Sequence, residues 1–169
     1  MKVSSVMTPN PETGRPKDDL AQAAMVMWRR DCGFVPIVDD ASKRVVGVIT
    51  DRDICMATST KHAAPEALKV EDAMSATAWT CNGDDEIEDA LETMRTHQVH
   101  RLPVLDRADR LAGILSYSDV VRHATADGKI RSIGDHDLIA TYRTITQPRT
   151  AETVGAARVE RTGGEVREV

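Results

Sequence analysis

The sequence predicts a mixed α/β (α+β) fold of two β-α-β-β-α repeats packed about a pseudo-twofold axis, followed by a C-terminal helix and tail. Three observations predict it. The chain of 169 residues matches itself at a nearly constant offset. Each copy carries two short apolar runs and two helical patterns in the same order. A copy of roughly 57 residues buries too small a fraction of its surface to be comfortable alone, so the two must share burial.

The repeat organises the chain. Met7-Thr8 recurs as Met74-Ser75, Met27 as Met94 and Pro36 as Pro103, each 67 positions on. Gly47 recurs as Gly113 and Asp53 as Asp119, 66 positions on, so one residue is lost between the paired strands of the second copy. Loops tolerate such a loss. The copies run over 2–60 and 69–125, with a connector at 61–68 that contains Ala63-Ala64-Pro65. The extension at 126–169 holds a helix over 135–146, where Leu138, Ile139, Tyr142 and Ile145 recur at helical spacing, and then a charged, aperiodic, flexible tail.

Within each copy the elements follow from local pattern. A short extended segment around Thr13 or Thr80 precedes a helix. Ile87, Ala90, Leu91 and Met94 form one face of the second copy's helix, and Leu20, Ala24, Met27 and Trp28 do the same work in the first. Asp85 with Glu88 reads as a capping box for the second of these. Val35–Val38 and Val45–Ile49, then Leu102–Leu105 and Leu111–Leu115, have the length and branching of buried strands joined by polar hairpin loops. A last short helix starts near Asp51 or Tyr117.

The chemistry concentrates where the second strand meets this helix. Gly47-Val48-Ile49-Thr50-Asp51-Arg52-Asp53 and Gly113-Ile114-Leu115-Ser116-Tyr117-Ser118-Asp119 share a strand glycine, a hydroxyl residue and an aspartate three positions later. One reading is structural: a hydroxyl followed by an acid caps a helix. The other uses the same geometry for binding. A helix mouth offers free N–H groups to a phosphate, a hydroxyl can donate to it, and a carboxylate can accept from a ribose 2′,3′-diol. The strand glycine permits close backbone approach.

Composition narrows the partners. Net charge is −5 and aromatics are scarce (one Phe, two Trp, two Tyr), which argues against nucleic acid or an anionic membrane as partner. The three cysteines, Cys32, Cys55 and Cys81, suggest neither a disulfide framework nor a zinc site, and Cys55 and Cys81 read as small buried hydrophobes. His97 and His100 lack the further ligands a metal needs. Trp28 and Trp79 read as core residues, with Trp79 also able to stack on a base. The N-terminus lacks a signal-peptide run and no stretch is long and apolar enough to span a bilayer, which predicts a cytoplasmic protein.

Met7-Thr8-Pro9, Phe34 to Asp39 and Gly47 to Ile54 resemble the first domain of a tandem cystathionine-β-synthase-type (CBS) pair, and Met74-Ser75, His100 to Asp106 and Gly113 to Asp119 resemble the second. The resemblance covers about 120 of the 169 residues. It implies two clefts for an adenosine-containing nucleotide (AMP, ADP, ATP, S-adenosylmethionine, NAD-type or cyclic dinucleotide) as a regulatory ligand, and a homodimer formed through the pairs. Carried over by position, Asp53 and Asp119 hold the ribose, with Thr50 and Ser116 near ribose or phosphate. Thr13-Gly14 and Thr80-Cys81 line the adenine pocket with Val35-Pro36 and Leu102-Pro103. Arg52, His100 and Arg101 are phosphate contacts, and Ser118 stands where the first copy has Arg52. The resulting expectation is a non-catalytic module that signals through a dimer or an unidentified protein target. A structural dimerisation scaffold with empty clefts is the alternative, and an enzyme using Cys or His lacks a paired base and orienting group.

Overall fold

The structure, a computed structural model, describes residues 1–126 and 134–148. The expected flexible tail falls, from residue 149 onward, outside the described residues. The elements are β1 (Thr8–Pro9), α1 (Leu20–Arg30), β2 (Phe34–Val38), β3 (Val45–Thr50), α2 (Asp51–Lys61), β4 (Cys81–Asn82), α3 (Ile87–His97), β5 (Arg101–Leu105), β6 (Leu111–Ser116), α4 (Tyr117–Ala126) and α5 (Asp135–Ile145). These give the expected α-β-β-α order in both copies and the added C-terminal helix; the leading segment expected near Thr80 forms β4, whereas the one expected near Thr13 is reduced to a single bridge from Gly14 to Ile37, and β1 lies ahead of it.

The chain divides into two compact units whose boundaries are not those of the sequence repeats. One unit comprises Met1–Pro11, Ala41–Val45 and Trp79–Gln147. Its sheet has the order β1-β6-β5-β4, with β1 antiparallel to β6 (Thr8 opposite Ile114) and β4 parallel to β5 (Cys81 beside Val104). The head of the first copy is thus the edge strand of the second copy's sheet. Val3 and Val6 are buried in the same core as Ile87, Leu91, Met94, Leu102 and Leu115. Val3 N–H donates to Asp85 O and Ser4 N–H to Gly83 O, both at 3.0 Å, which ties the segment down along its length.

The other unit, Glu12–Asp40 with Val46–Ala78, is built the same way. Leu20, Val35, Ile37, Ile49 and Val70 are its core. Gly14 pairs parallel to Ile37 on one side of the β2-β3 pair, and Ser75 pairs antiparallel to Val48 on the other. Met74-Ser75, the head of the second copy, therefore takes in this unit the place that Met7-Thr8 takes in the first.

Helix ends are set by local chemistry. Asp19 caps α1 by accepting from Gln22 N–H at 2.8 Å. The helix ends at Asp31 in a left-handed conformation (φ 48°), and its counterpart Gln98 ends α3 in the same way (φ 49°). The capping box expected at Asp85 and Glu88 does not form: Glu86 is the N-cap of α3, and Asp85 Oδ2 instead accepts from Asn82 N–H at 2.7 Å, closing the turn before it.

Three burial expectations are corrected. Trp28 is 84% exposed, because α1 buries Leu20, Ala23 and Met27, and position 28 lies about 100° round the helix from that stripe. Cys55 is exposed for the same reason: Ile54 is the residue α2 buries. In α5, Leu138, Thr141 and Ile145 face inward while Ile139 and Tyr142 stay more than half exposed. The buried Thr141 hydroxyl is satisfied, accepting from Arg95 Nη1 (2.7 Å) and donating to Asp137 O (2.8 Å).

Candidate functional site

The two strand-to-helix corners form as the sequence pattern requires. In the first, Thr50 is the N-cap of α2 and accepts from Asp53 N–H at 3.2 Å. Asp53 Oδ2 reaches back to accept from Thr50 N–H (3.0 Å) and Thr50 Oγ1 (2.7 Å). The second corner repeats this: Asp119 Oδ2 accepts from Ser116 N–H (2.9 Å) and Ser116 Oγ (2.6 Å), and Asp119 N–H donates to Ser116 Oγ (3.1 Å). Capping and binding are therefore successive uses of one geometry. The reciprocal box satisfies two orphan N–H groups and fixes each acid at the helix mouth. One carboxylate oxygen is consumed by the cap, leaving the other for a second task.

The corners differ in what that second oxygen does. Asp53 is half-buried and its Oδ1 has no hydrogen-bond partner among the described residues. Asp119 is 6% exposed and its Oδ1 is held by Arg122 Nη2, one turn along α4. Arg122 is a residue the sequence reading passed over, although its i,i+3 spacing from Asp119 was visible. His123 joins it there, with Nδ1 2.9 Å from Asp119 O.

The ladder brings several expected residues to these acids. Arg101, at the exposed start of β5, stands directly opposite Ser116, and Tyr117 N–H donates to His100 O at 2.9 Å. Leu102 and Pro103 are buried beneath them, and Ser118 is exposed on the first turn of α4. In the other unit Asp51 N–H reaches Gly33 O, where the second copy has His100, and Arg52 is exposed.

The base-side segments lie one strand further over. Gly14 N–H donates to Pro36 O and Gly14 O accepts from Val38 N–H, both at 3.0 Å, so Thr13-Gly14 runs beside Val35-Pro36. A groove of about 290 Å³ opens between this segment and α1, lined by Thr13, Gly14, Asp18, Gln22, Met25 and Arg29. That volume is at the low end for small-molecule pockets, and neither Thr50 nor Asp53 lines it. The segment is pinned to the end of α1 by Glu12, which accepts from Arg30 Nε (2.6 Å) and Arg29 Nη2 (3.1 Å); the Arg30 hydrogen bond holds its carboxyl below the usual range. At the matching positions of the other unit, Trp79 stacks on His97 with ring centroids 3.4 Å apart. Trp79 is 37% exposed rather than core.

Cys81 is buried in β4, and burial pushes its thiol up to about 12. A thiolate is the reactive form, so at pH 8 an aromatic disulfide reagent is expected to label exposed Cys55 rapidly and native Cys81 only on unfolding. Fast labelling of Cys81 in the folded protein would contradict the burial. Among the described residues no group of three or more His, Cys, Asp or Glu is placed to hold a metal ion, and no helix is long and apolar enough to cross a membrane.

Residues 3–59 and 70–126 each match the CBS domain, so the chain belongs to the CBS-domain family. It is 33% identical over 147 residues to inosine-5′-monophosphate dehydrogenase of Methanocaldococcus jannaschii, an alignment that spans 81% of this chain and 28% of the dehydrogenase. It is 28% identical over 131 residues to hypoxic response protein 1 of Mycobacterium tuberculosis, covering 78% of this chain and 84% of that protein. The crystal structure of Hypoxic Response Protein I with two coordinated zinc ions is similar at a TM-score of 0.66 and 28% identity, over 73% of this chain and 98% of that one. The structure of CBSX2 in complex with AMP is similar at a TM-score of 0.61 and 27% identity, over 73% and 95%.

Proposed function

We propose that this protein is a non-catalytic regulatory module that binds an adenosine-containing nucleotide at the Thr50–Asp53 and Ser116–Asp119 corners. One observation carries the reading: at each corner a capping box holds a carboxylate at a helix mouth, as a ribose diol requires beside a phosphate site. The likeness to CBSX2, whose structure was solved in complex with AMP, supports the same ligand class. Asp53 and Asp119 accept the ribose hydroxyls, and the N–H groups at the starts of α2 and α4 face the phosphate. Arg52 serves one corner, and His100 and Arg101 the other. Thr13-Gly14 with Val35-Pro36, and Thr80-Cys81 with Leu102-Pro103, take the base. Ligand binding then shifts a population of conformers that a second copy or a target protein reads.

Thermal unfolding with AMP, ADP, ATP, S-adenosylmethionine and NAD tests this. A ligand at about 100 times its Kd adds about 2.7 kcal/mol to stability, a rise of roughly 5–10 °C for a chain of this size. The Asp53→Asn/Asp119→Asn pair is expected to lose that rise. Asn is preferred to Ala because its amide oxygen preserves an acceptor for the cap, whose loss alone lowers stability by about 1 kcal/mol. An equal rise in wild type and the double variant would reject these corners; no rise with any nucleotide would favour a dimerisation scaffold.

A further inference from the structure

The two corners present their acids in different states, and the difference selects ligands. At Asp53 a ribose diol finds an oxygen with no partner among the described residues. At Asp119 both oxygens are engaged, Oδ2 by Ser116 and Oδ1 by the Arg122 guanidinium. The matching position in α2, 66 residues earlier, is Met56, which carries no charge. A diol arriving at Asp119 must take the place of an ion pair, in which both partners carry charge, with hydrogen bonds in which only the carboxylate does. The exchange is feasible because the Arg122 side chain is 74% exposed, so water screens the pair and receives the displaced guanidinium. It becomes favourable when the ligand brings an anion to the same helix mouth. Arg122 then trades one negative partner for another, with Arg101 opposite Ser116 on the ladder to share the charge.

We propose that Arg122 is a specificity-determining gate on Asp119: the α4 corner takes adenosine compounds that carry a phosphate and discriminates against the uncharged nucleoside through its acid, a gate that the α2 corner, with Met56 at the matching position, lacks. The gate rests on the nucleotide reading given above and deepens it by naming the ligand class at one of the two sites. Position 122 acts through the acid rather than by adding one more basic residue to a patch, so its removal has opposite effects on two ligands. Without the guanidinium, adenosine meets less competition for Asp119 and binds more tightly, whereas AMP loses its counter-charge and binds more weakly.

Calorimetric titration of AMP and adenosine into an Asp53→Asn protein isolates the α4 corner. In that background AMP is expected to bind about tenfold more tightly than adenosine or better, and Arg122→Gln to bring the two within about threefold of each other by moving both affinities, in opposite directions. Arg122→Lys keeps the charge without the fork and should retain most of the preference for AMP. An AMP-to-adenosine ratio unchanged by Arg122→Gln, or an equal weakening of both ligands, overturns the gate while leaving the nucleotide site intact. If the Asp53→Asn protein binds neither compound, the nucleotide reading of this corner fails and takes the gate with it.

Discussion

Removing residues 1–11 is expected to unfold the unit built on β4, β5, β6, α3 and α4. The deleted segment supplies the β1 edge of its sheet and two core residues, Val3 at 0% and Val6 at 4% exposure. Burying two such side chains is worth about 3–6 kcal/mol, which is of the same order as the whole stability of an ordinary domain. The loss also strands Gly83 O, Asp85 O and Ala112 O, which accept from Ser4, Val3 and Asn10. The segment is held at its start by Lys2 and the Met1 ammonium, both paired with Glu86, whose carboxyl they pull, Lys2 most, from 4.5 down to about 2. A carboxyl with a lowered pKa stabilises the folded state above its unfolded pKa, so this clamp is present above about pH 4.5 and is lost as pH falls towards 2. Amide resonances report the outcome. Those of residues 81–126 should collapse in the truncated protein, while signals from the core of Leu20, Val35, Ile37 and Ile49, which contains no deleted residue, serve as the control. A truncated protein with an unchanged urea midpoint and intact resonances would show that the segment is dispensable.

The sequence made the repeat, the strands, the helices and the two corners legible because each depends on neighbours within a few residues. Apolar period and β-branching mark β2, β3, β5 and β6; a hydroxyl and an acid three positions apart mark the start of α2 and α4. The exchange of heads was not legible. Met7-Thr8 and Met74-Ser75 are alike, and the strands β3 and β6 that receive them share the same pattern of apolar residues around a glycine before a hydroxyl residue, so no local pattern states which pairs with which. Trp28 continues the apolar spacing of α1 yet lies about 100° round the helix from the Leu20–Ala23–Met27 stripe, an angle that apolar character alone does not reveal. Asp85 was misread because an acid before a helix serves equally well in the turn that precedes it. At the site, Asp53 and Asp119 were found by motif, but the difference between them lies in Arg122, whose i,i+3 relation to Asp119 acquires meaning only when the acid's other oxygen is known to be committed to the cap.

Gly47→Ala and Gly113→Ala are expected to destabilise the protein, against the usual trend for glycine in a strand. Replacing a strand glycine by alanine normally gains about 0.5–1 kcal/mol by restricting the unfolded chain. Here a Cβ on Gly47 would stand 2.6 Å from Ser75 O and 3.1 Å from Met74 Sδ. A Cβ on Gly113 would stand 2.5 Å from Met7 Sδ and 2.9 Å from Thr8 O. The close backbone approach that the strand glycine suggests is therefore made by the chain itself: each glycine seats the head strand against β3 or β6. Overpacking of this kind costs about 1–3 kcal/mol, which exceeds the entropic gain, so each variant should lose about 1–2 kcal/mol and several degrees of Tm. Gly47→Ala should be the worse of the two, since a backbone carbonyl fixed by Val48 N–H at 3.0 Å yields less readily than a methionine sulfur. Valine at either position should be more damaging still. Thermal unfolding of the four variants tests the order; an alanine variant as stable as wild type would mean that the head strands can shift away from β3 and β6 at little cost, and that the glycines serve something other than this contact.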